Sequence, residues 1–132
     1  MVDLSRFSLT PDHRPWVFDA WLNPHDTSAV YDGDTVRRIN IDLGFGVTWE
    51  LDSARLIGID APEVRGPERM DGLKTRDWLR GRLADANHRF LIVSHKGAKG
   101  KYGRWLVELF ADGVNLNAEM VRLGLAEVNF YD

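Results

Sequence analysis

The hydrophobic pattern of the chain changes period near Asp71, and that change limits the folds open to it. Before it, apolar and polar residues alternate in short runs broken by turn residues. Val17, Trp21 and their neighbours predict a first strand after Pro15, ended by a turn over 23–26. Residues 35–42 alternate loosely, "LGFG" at 43–46 turns the chain, and 47–57 make a long partner strand. Strand–turn–strand signals at such short spacing suggest a small meander or barrel. From 71 to 86, Leu73, Trp78, Leu79 and Leu83 recur at helical steps. Gly81 weakens that helix without forbidding it. "RFLIV" (89–93) then reads as a buried strand, "SHKGAKGKYG" as a long loop, and "RWLVELF" as another strand with "ADG" (111–113) as its turn. Leu116, Met120, Val121 and Leu123 mark a second helix, closed by Gly124.

Three strands, a helix, two strands and a helix are compatible with a five-strand Greek-key barrel carrying helices, the OB-fold plan. At 132 residues, with no internal repeat or linker, a single domain over 1–132 is expected, 1–15 being an N-terminal extension. No apolar run is long enough to span a membrane. The N-terminus lacks a positive region followed by an apolar stretch, so a cytoplasmic location is the expectation. There is no cysteine, hence no disulfide or thiolate chemistry, and the four scattered histidines do not make a zinc pattern. Any metal should be a hard cation bound by oxygen.

The net charge of −3 hides a segregation. Residues 1–54 carry 4 Lys/Arg against 9 Asp/Glu, residues 105–132 carry 1 against 5, and residues 55–104 carry 12 against 6. A basic middle in an acidic chain fits one electropositive face gripping a polyanion, although exposed helices commonly carry charge for solubility alone.

Two acidic elements break local rules. "DGD" (32–34) sets two carboxylates one glycine apart inside a run that otherwise reads as strand. Asp-Gly is a hairpin-turn signal, so a plain turn explains it as well. "GIDAPE" (58–63) is also explicable as a strand end stopped by Pro62. The joint occurrence of "DGDT" (32–35), "RLIGIDAPE" (55–63), "GKYGR" (100–104) and "LNAEMVRLGLA" (116–126) shifts the balance. That series resembles the staphylococcal nuclease-like (thermonuclease) family from about Val30 to Phe130.

The resemblance implies an OB-fold barrel, α+β and mainly β, with helices at its side, and a Ca2+-dependent phosphodiesterase. The expected reaction cuts DNA and RNA with low sequence specificity and leaves 3′-phosphate ends. It also implies roles for individual residues. Asp34 and Asp60 match calcium-ligating carboxylates and Ala61 a main-chain ligand, while Asp32 and Thr35 sit near the metal and its waters. Glu63 matches the residue that activates or positions the attacking water, and Arg55 and Arg104 match the arginines that hold the scissile phosphate. Lys101 and Tyr102 match contacts to the nucleotide's terminal phosphate. Phe130 lines up with a nucleotide-stacking tyrosine, keeping the ring and losing the hydroxyl. The chemistry asks for these types: calcium takes oxygen ligands, and guanidinium forks suit charge developing on phosphate oxygens.

The family commonly carries a third helix beyond the "GLA" segment, and none is expected here. Blander readings stand beside the sharp ones. Tyr102 is also explicable as a packing residue, Trp49, Trp78 and Trp105 are expected in the core, and His95 and Lys96 in a solvated loop. A non-catalytic nucleic-acid-binding or protein-interaction module on the same fold is the alternative function.

Overall fold

The computed structural model describes residues 16–99 and 104–129, the side chains of 96–99 excepted. In chain order its strands are β1 (Trp16–Trp21), β2 (Val30–Asp32), β3 (Thr35–Gly44), β4 (Val47–Leu56) and β5 (Ile59–Asp60). After helix α1 (Arg69–Asp85) come β6 (Arg89–Lys99), β7 (Trp105–Ala111), β8 (Val114–Asn115), helix α2 (Leu116–Arg122) and β9 (Glu127–Val128). Hydrogen bonding runs β1-β6-β7-β4-β3, and a β1–β3 pairing closes the ring into a five-strand barrel. All its pairings are antiparallel except β4 with β7. With two helices at its side, this is the mainly-β OB-fold arrangement that the order of elements predicts.

The inward side chains explain the closure. Val36, Ile39 and Ile41 from β3, Leu56 from β4, Ile92 from β6 and Val107 and Leu109 from β7 are fully buried. Leu79 and Leu83 of α1 and Leu116 and Met120 of α2 join them. Each such side chain contributes roughly 1.5–3 kcal/mol by leaving water, which outweighs any single cap or surface ion pair. α2 starts where the Asn115 side chain accepts the Ala118 N–H, and it ends before Gly124, whose φ of +72° suits a residue without a Cβ.

Four expectations need correction. The segment after Ser94 is not a loop from the start: β6 continues to Lys99, after a register shift that pairs Lys99 with Trp105. His95 therefore lies on a strand, its Nε2 2.8 Å from Glu108 Oε1. "RFLIV" is buried on one face only, since Leu91 is exposed while Phe90 and Ile92 are not. Trp49 is 43% exposed rather than core. It sits on the outer end of the β3–β4 hairpin, beyond Ala54–Leu56, where the backbone pairing of β4 with β7 ends. There Trp49 meets half-buried Trp105, their ring centroids 5.5 Å apart. Trp78 does pack against the core.

Candidate active site

The acidic hairpin is a turn and an anchor at once. Asp32 ends β2 and Thr35 begins β3. The Asp34 N–H donates to Asp32 Oδ1 at 3.0 Å, and the Thr35 hydroxyl donates to Asp34 Oδ1 at 3.2 Å. The Ala61 N–H donates to Asp34 Oδ2 at 2.8 Å, so the hairpin acid reaches the segment after β5, 27 residues on. The β3–β4 register sets Thr35 opposite Arg55, and the Leu56 N–H donates to the Asp34 carbonyl at 2.8 Å.

Arg55 then fixes the relation between the two aspartates. Its Nη1 donates to the carbonyls of Leu56 (2.7 Å) and Ile59 (2.9 Å). Its Nη2 pairs with Asp60 and lies 4.0 Å from Asp34 Oδ2. One guanidinium, braced by two backbone carbonyls, therefore touches both carboxylates. Asp60 is held from the other side by β9, where it pairs with Glu127, and by Asn129, whose Nδ2 donates to Asp60 Oδ2 at 2.9 Å.

Helix α1 closes the arrangement from one flank through two glycines. A Cβ on Gly33 would lie 2.4 Å from Thr75 Cγ2 and 2.8 Å from the Ala61 Cβ. A Cβ on Gly72 would lie 2.1 Å from the Glu63 carbonyl oxygen. Only side-chain-free positions let the helix seat against the hairpin and the "APE" segment. Thr75, fully buried between them, donates its hydroxyl to the Leu125 carbonyl at 2.6 Å. Glu63, whose N–H donates to Glu68 Oε2 at 3.0 Å, is exposed. Arg104, just ahead of β7, approaches from the barrel side with its Nη1 3.5 Å from Thr35 Oγ1.

These residues share one cleft of about 810 Å³. Asp32, Asp34, Thr35, Arg55, Asp60, Ala61, Glu63 and Arg104 all line it. Lys101, Tyr102 and Phe130 lie outside the described residues. Tyr31, Arg37, Asp71 and Lys74 line the same cleft, and the hydrophobic pattern gave no reason to single them out. Asp32 is buried, and its carboxyl is pushed up to about 7, first by that burial and then by the neighbouring Asp34. Carboxylate repulsion is thus concentrated on the hairpin, where Arg55 offsets part of it.

Among the described residues no group of three or more His, Cys, Asp or Glu forms a metal cluster. The set expected for calcium has only two such residues, Asp34 and Asp60, with the Ala61 carbonyl as a third donor. Asp34 and Asp60 do satisfy one condition for sharing a cation, because both already reach the same guanidinium. An oxygen-only donor set of low count suits a hard cation that keeps most of its waters.

Three positioning residues escape a sequence reading. Asn129 holds Asp60 by its side chain, and its N–H donates to the Gly58 carbonyl at 2.8 Å. Thr75 ties α1 to the segment after α2. Asn117, buried at the start of α2, donates to the carbonyls of Ile57 and Val107, both at 3.0 Å, and accepts the Leu109 N–H. Asn117 and Asn129 lie within or close after the quoted 116–126 motif, but Thr75 had no such signal.

A search of curated proteins finds none that matches. The sequence pattern describing staphylococcal nuclease homologues does match, over residues 53–132. That stretch runs from the inner half of β4 onward and contains Arg55, Asp60, Ala61, Glu63 and Arg104; the 32–35 hairpin precedes it. The match covers more than half of the chain and agrees with the barrel, so the chain belongs to the family of staphylococcal nuclease homologues.

Proposed function

We propose that the cleft hydrolyses phosphodiester bonds of DNA and RNA with low sequence specificity, breaking the bond to the 5′-oxygen and leaving 3′-phosphate ends. The observation that carries this reading is the facing of two kinds of group on one cleft: Asp34, Asp60 and Glu63 against Arg55 and Arg104. An acidic site meant only for structure has no need of a second cationic fork, Arg104, beside the Arg55–Asp60 pair.

Asp34 and Asp60, with the Ala61 carbonyl, would hold Ca2+. When bound, the ion would offset phosphate charge and acidify or orient water. The remaining work falls to the chain's own side chains. Glu63 accepts the proton of the attacking water, whose oxygen forms the new bond to phosphorus as the bond to the 5′-oxygen breaks; that oxygen leaves protonated by solvent. Arg55 and Arg104 donate to the phosphate oxygens on which charge builds. Arg55 is preorganised for this by the Leu56 and Ile59 carbonyls. Low specificity follows because contacts to phosphate and sugar carry no base information.

A degradation assay on plasmid DNA and on RNA, with calcium and with a chelator, tests the proposal. Fragmentation only with calcium supports it. Intact substrate under both conditions overturns it in favour of a non-catalytic binding module.

A further inference from the structure

A second groove, of about 390 Å³, runs along the other side of α1. Arg69, Leu73, Arg76 and Arg80 line it from the helix, and their spacing of four, three and four residues places them on one stripe. Arg65, Tyr31, Ser28 and Val64 complete its walls, and no carboxylate is among its lining residues. Leu73, expected to help form the apolar face, belongs to this stripe; the buried face of α1 is Gly72, Thr75, Leu79 and Leu83.

The arginines are not accounted for by structure alone. Arg76 pairs with Asp77 at 2.9 Å, and Arg80 donates from Nη2 to the Val30 carbonyl at 2.9 Å. Yet Arg80 Nε is buried and makes no hydrogen bond. Burial, and secondly the nearness of Arg76, hold the Arg80 guanidinium below its ordinary range. Crowded like charges of this kind are relieved by an anion. Guanidinium forks match phosphate oxygens two at a time.

Tyr31 lines both the active-site cleft and this groove, and Arg37, which lines the cleft, stacks over its ring at 4.0 Å. The two spaces therefore meet at one aromatic residue. We infer that the groove is an extended binding site for the backbone of a single polynucleotide strand, which leaves the cleft past Tyr31 and lays its phosphates along Arg65, Arg69 and Arg76. This deepens the nuclease reading and rests on it for the direction of the strand. An acidic polypeptide fits the charge but not the continuity with a cleft that holds arginines for a phosphate.

The test compares wild type with Arg65→Gln/Arg69→Gln/Arg76→Gln, all on solvent-accessible positions, and with Arg69→Gln alone in case the triple variant unfolds. Binding of a fluorescent single-stranded dodecanucleotide is measured in chelator, where no hydrolysis occurs, across a salt series. Hydrolysis of a dinucleotide is measured with calcium. The triple variant should bind the dodecanucleotide about tenfold more weakly, with the salt slope reduced by about 2, roughly 0.7 per lost phosphate contact. The single variant should lose about a third of that slope, and dinucleotide hydrolysis should be unchanged in both. Unchanged affinity and slope overturn the proposal. So does an equal loss on the dinucleotide, which would place the arginines in the cleft, or equal competition by polyglutamate of matched charge. Arginine-dependent binding by a wild type that hydrolyses nothing would sink the nuclease reading and leave the groove standing.

Discussion

Arg55 and Asp60, five residues apart, form an ion pair inside the cleft, and Asp34 lies 4.0 Å from the same guanidinium. A positive charge so placed competes with any cation that the two aspartates hold. Two unit charges at about 4 Å interact by about 1 kcal/mol even in water, about fivefold in affinity. Arg55→Gln should therefore tighten calcium binding by about fivefold, read by calorimetry, while lowering hydrolysis by about 10²-fold through loss of the phosphate donor. Opposite signs for the two readouts separate the arginine's effect on the cation from its effect on the reaction. Parallel losses would mean that Arg55 merely holds the fold.

Gly72 and Gly81 lie on the same helix and should respond oppositely to alanine. At Gly72 the new methyl meets the Glu63 carbonyl oxygen at 2.1 Å, backbone that cannot swing aside. Overpacking of this kind costs roughly 1–3 kcal/mol and should displace Glu63 as well. Gly81 has nothing within 4 Å, so alanine there should stabilise by roughly 0.5–1 kcal/mol through helix propensity. Urea unfolding of the two variants checks both signs, and hydrolysis by folded Gly72→Ala should still be impaired.

Asn117→Leu keeps the branched side-chain skeleton, adds bulk and removes three hydrogen bonds in a buried position. The Ile57 and Val107 carbonyls and the Leu109 N–H lose their side-chain partner. Orphaned buried groups cost about 1–3 kcal/mol each where nothing replaces the bond. The Val107 carbonyl also accepts from the Ile57 N–H, which leaves two orphaned groups and a total of about 2–6 kcal/mol. Denaturant midpoints should fall accordingly; a change within 0.5 kcal/mol, roughly the scatter of a surface substitution, would contradict the bridging role.

How far the letters reach is visible in these residues. Asp34, Asp60, Arg55 and Arg104 stood out because each broke a local rule or sat in a spaced motif, and one cleft receives them all. Asn117, Thr75 and Asn129 did not, because they bond groups 50 to 69 residues away, reached only through the fold. The period left a meander or a barrel open, and the family resemblance pointed to the barrel that the structure shows. Two departures were not legible: "SHKGAK" reads as loop by glycine and lysine, but pairing with β7 carries β6 through it. Trp49 reads as core by hydrophobicity, but the hairpin arm that bears it extends past the point where the backbone pairing of β4 with β7 ends. Both errors have one cause, since strand partners are a tertiary property. The basic middle of the sequence, by contrast, resolves into something specific, a stripe of arginines on α1.

Acid should weaken the fold in part through Asp26. Hydrogen bonds from Arg38, at 2.5 and 3.0 Å, hold its carboxyl at about 2, below the ordinary 3.8. A depressed carboxylate stabilises the fold fully above its unfolded value and loses that contribution as pH falls through the folded one. The stability difference between wild type and Arg38→Met should accordingly stay constant above about pH 5 and shrink between about pH 4 and 2. Thermal unfolding at a series of pH values checks this, and a difference that persists undiminished at the acid end would contradict it.

The most direct measurement is single-turnover cleavage of an end-labelled oligonucleotide with calcium, by wild type and by Glu63→Gln, with product ends identified by mass. The expected result is 3′-phosphate products from the wild type, a rate lower by about 10²-fold or more in Glu63→Gln, and oligonucleotide binding equal in both. A wild type that binds the strand but leaves it uncut, or a Glu63→Gln variant that cuts it equally fast, would contradict the account.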